Sequence, residues 1–130
     1  MLYFGNKAKI STHRAMKNYI EKYQEVTSQM EQLRVKIPET MNGFTALHKA
    51  SVANGALLSK TKELISLGIA IAVHCDGCIA FHVHDALKAG ATKEDILETI
   101  GVAICMGGGP ALVYGGEAMQ ALEQFKASKE

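Results

Sequence analysis

The apolar positions Met16, Tyr19, Tyr23, Val26, Met30 and Leu33 are spaced by three, four, three, four and three residues. That alternation is the heptad seam of a helix. It predicts a long helix over about residues 6–35, within an N-terminal segment 1–37, ended by Pro38. The other faces carry Lys, Glu, Gln, Ser and Thr, which suits a helix packed along its own domain or across a subunit boundary. A second helix is predicted over about residues 39–53, with Met41, Phe44, Leu47 and Val52 inward and Asn54-Gly55 as its stop. A third, over about residues 62–73 and capped by Ser59 or Thr61, is apolar nearly all round, and such a helix is buried on most sides. The run 69–73 also fits a buried strand; the length of the segment and its alanines favour helix.

Residues 76–88 form a fourth predicted helix, ending at Gly90. Thr92 opens a fifth, with Asp95 at the fourth place as in a capping box and with Ile96, Ile100, Val102 and Ala103 along it. The run Gly107-Gly108-Gly109 breaks the chain. Pro110 suits the first turn of a sixth helix reaching about Lys126. Nothing alternates with the period of a strand, so the expected class is all-α, about six helices in a single domain of 130 residues.

Composition narrows the function. Hydrophobic residues make up 48% and charged residues 21%, too apolar for disorder. The net charge of +1 lacks the basic excess of a nucleic-acid binder. The charge-free run 99–116 is cut by its glycines and Pro110, so it does not supply the ~20 apolar residues of a membrane span. The first residues show no signal-peptide pattern. A cytoplasmic protein is expected, without membrane or nucleic-acid partners. Three cysteines are an odd number, which argues against a disulfide scaffold and turns attention to redox or metal chemistry.

The informative stretch is 74–82, His-Cys-Asp-Gly-Cys-Ile-Ala-Phe-His. Cys75 and Cys78 form a Cys-x-x-Cys at a helix start, and His82, four residues after Cys78, shares its face. A thiolate there meets the positive end of the helix dipole, and an imidazole one turn away can take the thiol's proton. The other cysteine is close enough to form a disulfide once the first is oxidised. Zinc would need about four ligands, such as Cys75, Cys78, His82 and His74 or His84, but the spacing matches no common finger. A thioredoxin-like site would need a βαβ unit. Two purely structural cysteines are the remaining alternative.

With those residues in view, the segment 57–116 resembles the carboxymuconolactone decarboxylase superfamily, specifically its AhpD-like alkylhydroperoxidase branch. The stretches that carry the likeness are 55–65 (GALLSKTKELI), 75–82 (CDGCIAFH), 86–96 (ALKAGATKEDI) and 106–111 (MGGGPA). Over a core of 55–116 the resemblance implies an all-α AhpD-like fold and a thiol peroxidase or disulfide reductase that acts on hydroperoxides. Cys78 would attack the peroxide and Cys75 would resolve the sulfenic acid. Glu63, twelve residues before Cys75, would form a proton relay with His82. No cofactor and no metal ion are expected. The implied partners are a hydroperoxide substrate, a dithiol reductant protein and further copies of the chain in a trimer or hexamer. Some members of the branch carry a His between the two cysteines. Here Asp76-Gly77 stands there, and the acid is expected to raise the thiol pKa. The sibling lactone decarboxylases usually lack the cysteine pair, so decarboxylation is the weaker alternative. A non-catalytic or metal-binding oligomeric scaffold is the other.

Distance is the open question. On one straight helix Glu63 would stand ~18 Å from Cys75. The relay therefore needs a chain reversal near His74, a kink near Gly68 or a partner subunit; otherwise Glu63 is only a first-turn acid on the helix dipole. Among the remaining candidates, Cys105 is expected in the core and His84 and Asp85 in solvent. His13 and His48 have no visible partner. The glycine run lacks the Lys-Ser/Thr of a phosphate loop.

Overall fold

The computed structural model describes residues 17–129. Among them are six α-helices and no strand: α1 (Tyr19–Lys36), α2 (Pro38–Val52), α3 (Ser59–Ala72), α4 (Asp76–Lys88), α5 (Lys93–Gly107) and α6 (Gly109–Ala127). The all-α class and the six-helix order agree with the pattern of apolar positions.

Boundaries differ where side chains compete for helix ends. The first helix does not run back to Asn6: Lys17 and Asn18 are not helical, and Met16 and His13 lie outside the described residues. Asn18 is the N-cap, its Oδ1 accepting from the Glu21 N–H at 3.0 Å. Gln124 of α6 clamps the same point. It accepts from the Tyr19 N–H at 2.7 Å and donates to the Lys17 carbonyl at 2.8 Å. α3 begins at Ser59 rather than Lys62, without the expected Ser or Thr cap; the Asn54 side chain accepts from the Ser59 N–H instead. At α5 the expected cap is complete. Thr92 and Asp95 exchange bonds at 2.9 and 3.0 Å, and these, with Lys60 nearby, hold the Asp95 carboxyl below its ordinary pKa.

The core lies where α3, α4, α5 and α6 pack together, with Tyr19 of α1 closing one end. Leu67 and Ile71 of α3, Ile79 and Val83 of α4, Ile96 of α5 and Leu122 of α6 are fully buried. Alanines at 80, 86, 103, 111, 118 and 121 let these helices approach closely. Leu67 has no exposed surface, so Leu67→Ala should destabilise the fold by about 2–5 kcal/mol, through lost transfer energy and the cavity left behind. Denaturant titration at constant m checks this.

Several expected core positions stand outside. Phe44 and Leu47 of α2 are exposed, because α2 packs mainly on α1 and only lightly on α3. Of the α1 seam, Tyr19 is buried, Tyr23, Val26 and Met30 are half-buried and Leu33 is exposed. Ile65 and Ile69 of α3 are exposed, as is Cys105, expected in the core. No helix of the described residues is long and apolar enough to cross a membrane.

Candidate active site

The reversal between α3 and α4 builds the site. α3 ends at Ala72, and His74 takes a left-handed conformation, φ 61°, rare for a residue with a side chain. Its ring stacks on Tyr114 at 4.7 Å. The Cys75 N–H bonds to the Ala70 carbonyl at 3.1 Å, and Cys75 becomes the N-cap of α4, its Sγ accepting from the Cys78 N–H at 3.1 Å. Cys75 and Cys78 are joined as a disulfide at this helix start.

Folding α4 back along α3 carries His82 to Glu63. The two meet with His82 Nδ1 and Glu63 Oε2 at 2.8 Å, and Glu63 is only 4% exposed. The reversal at His74 brings Glu63 to His82 within one chain. With Nδ1 committed to Glu63, Nε2 is the ring nitrogen left for another group.

Cys78 and His82 line one cleft of about 250 Å³ between α1, α2 and α4. Its walls are largely apolar, from Val26, Met30, Phe44 and Phe81, with Arg34 and His48 as polar members. Gly77 belongs to the lining, and a Cβ there would stand 3.1 Å from Val26 Cγ2; glycine lets α1 approach the disulfide. Asp76 is not an uncompensated charge beside the sulfurs. One carboxylate oxygen accepts from the Gly77 N–H at 2.8 Å, and the other lies 3.9 Å from both Lys17 and Lys22. Two ammonium groups thus stand beside the Asp76 carboxylate.

Three residues that sequence reasoning set aside also come to this region. His84 and Asp85 are half-buried rather than solvated. The His84 ring stacks on Tyr23 at 4.1 Å, and its Nδ1 lies 2.8 Å from Asp85 Oδ1. Burial, with Asp85 nearby, raises the pKa of Tyr23. His48 of α2, without a visible partner in the sequence, stands beside Glu63 and Asp85. Only its place on α2, at helical spacing from Met41 and Phe44, hinted at a side chain turned toward the other helices.

Six helices around a Cys-x-x-Cys pair backed by a buried Glu–His contact define the class. The carboxymuconolactone decarboxylase family model matches residues 38–124, and the chain belongs to that family. It is similar to a carboxymuconolactone decarboxylase family protein from Legionella pneumophila, whose apo crystal structure superposes with a TM-score of 0.80 at 45% identity, over 82% of this chain and 96% of that one. A family protein from Thermotoga maritima, for which a part in the antioxidative response has been suggested, gives 0.75 at 27% identity, over 83% and 92%. An uncharacterised protein of Cupriavidus necator is 34% identical over 103 residues, 79% of this chain and 91% of its own length.

Proposed function

We propose that the protein is a thiol-dependent peroxidase of the AhpD-like kind, reducing hydroperoxides through Cys78 and Cys75. The observation that carries this reading is the redox-competent pair at the α4 start, opening on the same cleft as His82, with His82 held by the buried Glu63. The antioxidative part suggested for the Thermotoga relative points the same way.

In the reduced protein His82 takes the Cys78 proton, and Glu63 steadies the imidazolium that forms. The Cys78 thiolate attacks the outer peroxide oxygen. The O–O bond breaks, the alkoxide leaves with a proton returned by His82, and Cys78 becomes a sulfenic acid. The Cys75 thiol then displaces water from that sulfur to form the disulfide present in this structure. A dithiol reductant returns two electrons by thiol–disulfide exchange. The apolar walls of the cleft suit an organic hydroperoxide.

The test is consumption of an alkyl hydroperoxide by the purified protein with dithiothreitol. Turnover tied to disulfide formation supports the reading; a reduced protein whose two thiols stay free after mild peroxide overturns it. His82→Ala in a Cys75→Ser background should slow iodoacetamide alkylation of Cys78 near neutral pH. Each unit rise in the thiol pKa lowers the thiolate fraction about tenfold on the acid side. An unchanged pH profile removes His82 from the relay.

A further inference from the structure

We propose that His48, Glu63 and Asp85 form a binding site for a divalent metal ion, which shares Glu63 with the His82 contact and takes no ligand from the cysteine pair. Each comes from a different helix, α2, α3 and α4. A ring nitrogen of His48 and one oxygen from each carboxylate lie within 4.8 Å of one another. Donors bound at ~2.1 Å to one ion stand ~3–4 Å apart, so a small contraction closes the set.

A second observation points the same way. Each carboxylate is held on one side by its own imidazole, Glu63 Oε2 by His82 and Asp85 Oδ1 by His84, both at 2.8 Å. The other oxygen of each takes no hydrogen bond among the described residues. Ligating carboxylates are oriented in this way by surrounding groups, which fix one oxygen and leave the other for the metal. Glu63 is also almost wholly buried, and a second carboxylate close to a buried one is unfavourable without a cation between them. His48 also lines the cleft.

One imidazole and two carboxylates suit borderline ions such as Zn²⁺ or Mn²⁺ rather than thiophilic ones. The sulfurs are bound to each other and take no part as donors.

The experiment is isothermal titration calorimetry of the oxidised, disulfide-bonded protein with Zn²⁺ and with Mn²⁺. One equivalent of at least one ion should bind per chain. His48→Ala and Asp85→Asn should each weaken that association at least tenfold, and Cys105→Ser, which removes an exposed free thiol outside the cleft lining, should not. Circular dichroism checks that each variant is folded. Asp85→Asn, being isosteric, keeps the test decisive if His48→Ala does not fold. Failure of both ions to bind the oxidised protein, or undiminished binding in any folded member of the His48 and Asp85 pair, overturns the site. The assay reads no peroxide turnover, so its failure leaves the peroxidase reading standing.

Discussion

Cys78→Ser should bring hydroperoxide turnover down to the uncatalysed rate, a loss on the order of 10³-fold or more, as removal of a nucleophile does elsewhere. A serine hydroxyl keeps the shape of the side chain, but it stays protonated near neutral pH and does not attack the peroxide. Cys75→Ser should behave differently. Cys78 would still react once, and without its resolving partner the sulfenic acid would persist. Mass spectrometry should find one added oxygen on Cys78 after stoichiometric peroxide. The two variants separate the roles because the sulfurs differ in position. Cys78 lines the cleft with His82, whereas Cys75 caps the helix and receives the Cys78 N–H. Steady turnover by Cys78→Ser, or an oxidised Cys75 in that variant, would exchange or dissolve the assignment.

Light scattering should find a particle several times the 14.0 kDa of one chain. We propose a homo-oligomer, a hexamer built as a trimer of dimers. The third helix is apolar nearly all round, and one chain covers only part of it. Ile65 and Ile69 of α3 and Val102 and Met106 of α5 line one groove and remain exposed. Phe44 and Leu47 leave α2 with a second uncovered apolar face beside the cleft. A continuous apolar groove on a small protein marks an association surface. Fully burying an exposed side chain of this size contributes ~1.5–3 kcal/mol, and each of these, already partly covered, contributes in proportion to the area it still exposes. Ile69→Glu with Val102→Glu places charges in that groove and should shift the particle toward smaller species, with the helical circular dichroism retained. A wild-type monomer at micromolar concentration would overturn the proposal. Assembly is not needed to bring Glu63 to His82, since that contact forms within one chain.

These expectations draw on two levels of information. The order of the six helices is local. Heptad spacing, the Thr92–Asp95 capping box, Pro110 in a first turn and the glycine break each act within a few residues, so each is legible in the sequence. So was the placement of a Cys-x-x-Cys at a helix start with an imidazole one turn on. Phe44 and Leu47 of α2, inward by periodicity, are exposed in a single chain. Periodicity tells which residues share a face, but burial depends on which neighbour covers that face.

The sequence by itself determined the helices and the cysteine pair with an imidazole one turn on, because the turn of a helix and the chemistry of a thiol are set by near neighbours; Glu63 entered only through the family resemblance. Only the tertiary structure decided that Glu63 reaches His82 in the same chain, that Asp76 faces two lysines, and that His48 and Asp85 stand beside Glu63. The physical reason is one backbone event. His74 in the left-handed region turns α4 back along α3, and residues nineteen apart in sequence become hydrogen-bonded neighbours.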